Sequence, residues 1–280
     1  MDEIIRAISG DGHISISVIS SPELVERARL IHGSTPVVTQ ALGMSLVAAS
    51  IIGSALKKPD ASLTVHINGG GTAGNIVAVS DSEGYVRGSV QNPLADSPDV
   101  KSAVGEDGVL SVIKDFGGKE PYTGSSRLLN GQIAKGFEVY FAQSEQIPCS
   151  CSFVVLIDSG MQVKAAGGFI LQLLPGAHGA AIGALEARAA AKGQVTDALK
   201  SGGIEKLLQS VASDLNARVL ERRVVGYRCT CSRDRFLASL LSLGKGDLEG
   251  IGSSGTPVET SCPYCKAVYV FQCTNGNKWH

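Results

Sequence analysis

The stretches YRCTCSRDRF (residues 227–236) and SCPYCK (residues 261–266) hold two close cysteine pairs near the end of this 280-residue chain. The first pair is Cys229 and Cys231, and the second is Cys262 and Cys265. Zinc prefers four tetrahedral thiolates, and closely spaced pairs let each of two turns supply two of them. Buried structural thiols have no reason to be paired at this spacing. The pattern therefore predicts one zinc ion per chain, bound by these four cysteines.

The part of the chain that carries these pairs is too short to fold reliably on an apolar core, so a metal or a crosslink is expected to hold it together. We assign it to residues 227–280 as a zinc-binding domain. Its remaining cysteine, Cys273, has no partner at ligand spacing and receives no role. Basic residues flank the pairs and could offset the charge of a tetrathiolate site or simply form a solvated face. They are Arg228, Arg233, Arg235 and Lys266.

Upstream of the cysteines, residues 177–226 are rich in Ala, Gly, Leu and charge, with helical spacing. The clearest helix is predicted over 204–220, where six apolar residues fall on one stripe. They are Ile204, Leu207, Leu208, Val211, Leu215 and Val219. Glycines interrupt this region, and each costs up to about 1 kcal/mol inside a helix. The sequence thus predicts a marginally stable helical linker.

Residues 1–176 combine alternating and helical patterns and end at the turn signal Pro175-Gly176. Strands are predicted at 13–20, 62–68, 75–80, 85–90, 109–114, 152–157 and 162–174, and helices at 22–30, 37–56 and 130–144. The run 62–90 is typical of an antiparallel meander. The predicted fold class is α+β: an N-terminal α/β core domain with a mainly antiparallel sheet, a helical linker and a small C-terminal zinc-binding domain.

Two stretches of the core invite other interpretations. Residues 37–56 carry no charge and are long enough to span a bilayer, but polar residues and glycines dilute the stretch, which favours a buried core helix. The run GGGTAG at 69–74 lacks the Gly-Lys-Ser/Thr of a phosphate-binding loop, which favours a hairpin turn.

The composition narrows the function and the compartment. A formal net charge of −1 gives no field that would attract nucleic acid. The acidic, alternating N-terminus is no secretory signal, so we expect a cytoplasmic protein, or an organelle protein whose leader has been removed. An odd count of seven cysteines argues against a static disulfide framework and favours metal or redox chemistry.

Enzymatic chemistry finds little support in the sequence. The five histidines are scattered, and no Ser/His/Asp arrangement can be recognised. The CPYC motif alone resembles that of glutaredoxins, but their fold places it at a helix start with most of the domain following, whereas 15 residues follow Cys265 here. Cys149 and Cys151 would share one face of a strand and are interpreted as packed core thiols. We therefore predict no catalytic residues.

Several segments together resemble one family, the 33 kDa chaperonins, which are redox-regulated heat-shock holdases. The two cysteine pairs look like its zinc signature. The segments KEPYTG (119–124), YFAQSEQIP (140–148) and GGFILQLLPGA (167–177) look like its core motifs. The chain departs from the family pattern at Cys149 and Cys151, where Thr would be more usual, which leaves open an extra oxidisable pair.

The resemblance implies a chaperone that binds unfolded client proteins under oxidative stress and is not an enzyme. It implies a reduced, zinc-bound, inactive state and an oxidised state with zinc released, commonly a homodimer. The implied disulfides are Cys229 with Cys231 and Cys262 with Cys265. Release of the linker would expose the stripe of apolar residues at 204–219 to clients, unless that stripe only packs and clients bind the core sheet.

Two other functions stay open at this point. A thiol-disulfide oxidoreductase would turn over a disulfide substrate in its zinc-free form. A zinc-ribbon-like nucleic-acid-binding protein would need a basic, aromatic surface, which the near-neutral charge does not favour.

Overall fold

The computed structural model describes residues 1–118, 120–177, 179–190, 193–244, 246, 248, 257–274 and 278–279. The chain divides into two compact units, Met1–Arg228 and Cys229–His280. The division falls two residues from the predicted start of the zinc-binding domain at 227. Residues 177–226, predicted as a linker, are counted in the first unit.

The first of two five-stranded sheets in this unit is antiparallel, with the strand order β10-β1-β2-β9-β8. Its strands are β1 (Glu3–Ile8), β2 (Ile14–Ser20), β8 (Cys149–Ile157), β9 (Val163–Leu173) and β10 (Arg218–Val224). Both faces are apolar over most of their area, so the sheet separates two hydrophobic clusters. Strand β1 lies inside this sheet although its partner β10 comes more than 200 residues later.

The second sheet is also antiparallel, with the order β5-β4-β3-β6-β7. Its strands are β3 (Ser62–Asn68), β4 (Ile76–Asp81), β5 (Val86–Val90), β6 (Asp107–Asp115) and β7 (Tyr122–Leu129). Residues 69–74 connect β3 and β4, which confirms the predicted hairpin turn. A Cβ atom on Gly69 would stand 2.1 Å from the carbonyl oxygen of Val104, so this turn requires glycine. Val104 ends the short helix α3 (Val100–Val104).

The helix α2 is the centre of the main core. It follows α1 (Pro22–His32), spans Pro36–Ser54 and packs against both sheets. By length and composition α2 could cross a membrane, but 83% of its most apolar window is buried inside the protein, which confirms the prediction of a core helix. Helix α4 (Ile133–Tyr140) continues into a π-helical turn, Phe141–Glu145, against β7.

Two further helices, α5 (Gly179–Ala190) and α6 (Gln194–Ala212), cover the other face of the first sheet. Non-helical backbone at Gly202 and Gly203 breaks α6 in two. Arg188 of α5 is buried and donates from Nε to the carbonyl oxygen of Val211, 2.8 Å away, in the last turn of α6. The two helices are therefore joined by a side-chain cap as well as by apolar packing.

The predicted helix over 204–220 is wrong in its second half. Helix α6 ends at Ala212, and β10 begins at Arg218 because residues 218–224 complete the sheet beside β1. Ile204, Leu207 and Val211 are buried, whereas Val219 is on β10 and 42% exposed. Leu208 and Leu215 are half-buried and pack on the same cluster. The six residues therefore do not form one continuous helical stripe.

Most other expected elements are confirmed, and with them the α+β class with mainly antiparallel sheet. Strand β3 and helix α2 match the expected ranges within two residues, whereas β1, β7 and β10 were not predicted as strands. Strand β7 has the burial pattern eeBeBeBe of a one-sided edge strand, and its buried positions include Gly124 and Ser126. Small residues on its inner face hide the alternation from a search for apolar periodicity.

Candidate metal centre

The first cysteine pair lies just before a helix. Cys229 and Cys231 precede α7 (Arg233–Leu241), the helix of the second unit. Ser232 has extended backbone, and its hydroxyl accepts from the backbone N–H of Arg235 at 3.3 Å, as an N-cap does. The cap fixes the point where the chain turns away from the cysteines.

The second pair lies in the loop of a β-hairpin formed by β11 (Val258–Ser261) and β12 (Val268–Phe271). The backbone N–H of Cys262 donates to the carbonyl oxygen of Ala267 at 2.8 Å, and that of Lys266 donates back to Cys262 at 2.9 Å. Lys266 adopts a left-handed conformation to close the turn. CPYC therefore does not occupy the helix start that a glutaredoxin-like site would need.

The four sulfur atoms converge: all lie within 4.8 Å of one another. Sγ of Cys229 is 3.7 Å from that of Cys262, and Sγ of Cys231 is 3.3 Å from that of Cys265. Metal–sulfur bonds of about 2.3 Å in a tetrahedron place sulfurs roughly 3.8 Å apart, whereas a disulfide needs about 2.05 Å. The pairs thus meet crosswise as reduced thiols, at a spacing that could hold one metal ion.

An aromatic pair supports the cluster from one side. The Tyr269 hydroxyl on β12 is 3.2 Å from Sγ of Cys231. Its ring stacks on Phe236 of α7 with centroids 4.8 Å apart. Hydrogen bonds to ligating atoms orient metal ligands and adjust their basicity. Neither residue was singled out from the sequence, because their proximity to the thiols depends on the hairpin folding against α7.

The thiols differ in acidity when no ion is bound. Burial raises the pKa of Cys229 to about 12 and also raises that of Cys265. Burial acts in the same direction on Cys231, but hydrogen bonds from Tyr269 and from the neighbouring thiols outweigh it and lower its pKa to about 7. The same contact raises the pKa of Tyr269 to about 12. One thiolate is therefore favoured at Cys231 before a metal ion displaces the remaining protons.

The basic residues near the pairs have partners of their own. Arg228, in the first unit, pairs with Asp81 at 2.6 Å and Glu83 at 2.7 Å. Arg235 donates to the carbonyl oxygen of Thr230 at 3.0 Å, and Arg233 lies 4.6 Å above the ring of Phe271. These arginines fasten the chain on either side of the first pair.

The remaining cysteines lie apart from the cluster. Cys149 and Cys151 are on β8 of the first unit, where Cys151 is buried and donates to the carbonyl oxygen of Ala134 at 3.1 Å. Cys273 is on the short strand β13 (Cys273–Thr274), which pairs with β14 (Lys278–Trp279). The six apolar residues at 204–219 lie on α6, the following turn and β10.

The fold and the cluster define a class: a two-unit α+β protein whose small C-terminal unit presents four thiols as a candidate metal centre. Residues 2–272 match the family model described as Hsp33 protein. The chain therefore belongs to the Hsp33 family.

Its curated relatives are similar over nearly their whole length. A protein named 33 kDa chaperonin from Clostridioides difficile is 40% identical over 278 residues, covering 96% of this chain and 95% of the relative. The 33 kDa chaperonin of Alkaliphilus metalliredigens is 38% identical, with 96% and 94% covered. The crystal structure of the 33 kDa chaperonin from Thermotoga maritima matches with a TM-score of 0.87 at 32% identity, covering 96% of this chain and 94% of that one.

Proposed function

We propose that this chain is a redox-regulated holdase chaperone that binds unfolded proteins and prevents their aggregation under oxidative stress. The observation that carries the proposal is the convergence of four reduced thiols within 4.8 Å in a chain of the Hsp33 family. The relatives' name, 33 kDa chaperonin, supports the chaperone part. We infer a cytoplasmic protein with a binding rather than an enzymatic role.

The proposed resident ion is one Zn²⁺, held by Cys229, Cys231, Cys262 and Cys265. Four sulfur donors without a carboxylate or an imidazole suit zinc, and no open ligand position would remain for catalysis. The second unit depends on such an ion, because Cys262 and Phe271 are the buried side chains among its described residues. A structural zinc ion contributes on the order of 10 kcal/mol to folding, which is enough to replace a missing core.

The proposed switch is oxidation of these thiols to Cys229–Cys231 and Cys262–Cys265 disulfides. For each pair, two thiols lose two electrons and two protons to one hydrogen peroxide molecule. A sulfur–sulfur bond forms, the O–O bond breaks, and two water molecules leave. The crosswise sulfur contacts, Cys229 with Cys262 and Cys231 with Cys265, join residues distant in sequence. Two local disulfides would join only near neighbours, so the second unit would lose its organising centre and release the ion.

Client binding is proposed to follow from loss of order before the thiols, at 177–226. The buried residues Ile204, Leu207 and Val211 on α6 would add apolar surface once α6 leaves the sheet, together with the half-buried Leu208 and Leu215. Val219 is already exposed on β10. We keep the division into a core at 1–176, a linker at 177–226 and a zinc-binding domain at 227–280 as part of this proposal, with a homodimer as the oxidised form.

The proposal is tested by measuring zinc content and client protection in the same samples. Reduced protein should carry one zinc per chain and suppress aggregation of a denatured client weakly. Peroxide-treated protein should have released the zinc and suppress aggregation strongly, and dithiothreitol with zinc should reverse both changes. Equal suppression by the reduced, zinc-loaded form would show that the thiols do not control client binding. Turnover of a disulfide substrate would favour an oxidoreductase instead.

A further inference from the structure

A cleft in the first unit lies where the three core segments noted in the sequence come together. Segment 140–148 contributes Phe141, Glu145 and Ile147, and segment 167–177 contributes Ile170 and Gln172. Behind them, the Tyr122 hydroxyl of segment 119–124 donates to the carbonyl oxygen of Ser144 at 2.8 Å. The metal centre uses none of these residues, so the proposed switch gives this arrangement no role.

The floor of the cleft is one face of the first sheet. Arg6 on β1 pairs with Ser17 on β2, Ser17 pairs with Ile170 on β9, and Ser15 pairs with Gln172 one step along. Neighbouring strands thus turn mainly polar side chains toward α2, although the rest of this face is apolar. Polar groups facing an interior are informative because burying them has a cost unless they find partners.

The walls are mainly apolar. The last turns of α2 contribute Ile51 and Ile52, followed by Leu56, and the π-helical turn contributes Phe141. The cleft encloses about 200 Å³. At roughly 30 Å³ per water molecule this is room for about six or seven waters. A small organic molecule would fit, whereas a nucleotide would not.

The charges at the cleft leave one cation without a close partner. Lys114 and Glu145 form an ion pair in the wall, and Glu145 also accepts from the Tyr140 hydroxyl at 2.5 Å, so the carboxylate is neutralised. Among the described residues, the ion pair of Arg6 is with Glu221 at 3.8 Å, which is too long for a hydrogen bond. Glu221 is meanwhile held closely by Arg223. The guanidinium of Arg6 therefore has N–H donors to offer a ligand.

We propose that this cleft binds a small carboxylate with a branched apolar body. Arg6 would donate to the carboxylate in a bidentate manner, with the hydroxyls of Ser15 and Ser17 and the Gln172 amide as further polar contacts. Ile51, Ile52 and Phe141 would contact the apolar body. One available cation matches one negative charge, whereas a phosphate dianion would need a second cation that Lys114 cannot supply while it is paired. The carboxylate could belong to a free acid or to a peptide C-terminus ending in an apolar residue.

Calorimetric titration of the full, reduced, zinc-loaded chain tests this site. The probes are 4-methylpentanoate, its amide, and an acetylated Gly-Gly-Leu peptide with a free or an amidated C-terminus. We expect one site per chain and at least tenfold weaker binding of each amide than of its acid. Binding of both acids, or of the free acid alone, supports a small-molecule site, whereas binding of the peptide acid alone supports the same site for chain termini.

Three variants locate the binding. Arg6→Gln should weaken the acids at least tenfold and leave the amides unchanged. Ser15→Leu should fill the cleft and abolish binding of all probes. The matched control Arg127→Gln removes an exposed arginine with a single ion pair, to Asp107, in the other sheet and should change nothing. Failure of both acids to bind, or equal affinity in Arg6→Gln, or retained binding in a folded Ser15→Leu protein would overturn the proposal.

Discussion

The Tyr269 hydroxyl touches the cluster without being a thiolate. We predict that Tyr269→Phe lowers metal affinity by roughly tenfold, because loss of an outer hydrogen bond to a ligand typically costs 10- to 100-fold. The phenyl ring keeps its stack on Phe236, so the hairpin should still fold around the ion. Competition with a chromogenic chelator measures the change. Tyr264→Phe, in the same loop, is the control, and an equal loss in both would argue that the contact to Cys231 is not responsible.

Removal of a thiolate should have a larger effect than removal of the tyrosine hydroxyl. We expect Cys229→Ser and Cys265→Ser to weaken metal binding by more than about 100-fold, beyond the usual effect of an outer-shell change. Cys149→Ser and Cys273→Ser should retain stoichiometric metal. Metal content by atomic absorption after dialysis against a weak chelator decides this. Stoichiometric metal in a Cys262→Ser, Cys265→Ser double variant would refute the four-cysteine site.

Asp2 is the residue at which stability should depend on pH. Its buried carboxylate accepts from the backbone N–H of Leu24 at 2.5 Å and of Glu23 at 3.1 Å, capping α1 from another strand. Burial outweighs these bonds and raises the pKa of Asp2 from 3.8 to about 6. The folded state then binds more protons than the unfolded state between these values. Its contribution to the free energy of unfolding should fall as the pH rises from about 4 to about 6.

Urea unfolding of the wild type and Asp2→Asn across pH 4 to 7 isolates this contribution. The wild type should lose stability relative to the variant as the pH rises through this window. A difference between the two proteins that stays constant over the window would contradict the raised pKa.

At the scale of single elements, α6 depends on its glycine break. Gly203 has φ 62° and ψ −146°, a conformation that residues with a Cβ rarely adopt. Gly203→Ala should therefore lower the free energy of unfolding by about 1 to 3 kcal/mol. Gly193, at φ −64° and ψ −22° with open space around it, is the matched control. Gly193→Ala should be neutral or stabilising by up to about 1 kcal/mol. Denaturant melts of both variants test the contrast.

The packing of α6 on the sheet gives a second element-scale prediction. Leu207 is fully buried, so Leu207→Ala should cost about 2 to 5 kcal/mol and make α6 sensitive to protease in the reduced, metal-loaded protein. Val219→Ala should stay within about 0.5 kcal/mol because Val219 is exposed on β10. Cleavage sites mapped by mass spectrometry report the result. Equal resistance of Leu207→Ala and the wild type would mean that α6 is held by something other than this face.

Comparison of elements explains what the sequence could predict. Helix α2 and the two cysteine pairs are local patterns, legible within about twenty residues. Strand β10 is different, because RVLERRV has helical spacing with what precedes it and becomes a strand only beside β1. Tyr269 and Arg6 gain their roles from partners on other elements, so no local pattern marks them.

At the scale of the whole molecule, the two units should differ in how they respond to loss of metal. The first unit has two sheets and two apolar clusters, whereas the second has little buried apolar surface among its described residues. A chelator should therefore remove amide protection from β11 and β12 while β3 and β4 keep theirs. Hydrogen exchange before and after treatment measures this. Equal loss in β3 and β4 would show that the first unit also needs the metal.

The pairing of β1 with β10 also has a consequence for the birth of the protein on the ribosome. Glu3 pairs with Val224 and Ile8 with Arg218, so the first strand made waits for one of the last of its unit. At roughly 5 to 20 residues per second, that wait is about 10 to 40 s for each new chain. During this time one edge of β1 exposes unpaired N–H and C=O groups, which can recruit foreign strands. A protein proposed to hold unfolded chains thus spends its own synthesis as a chain with an unfinished sheet.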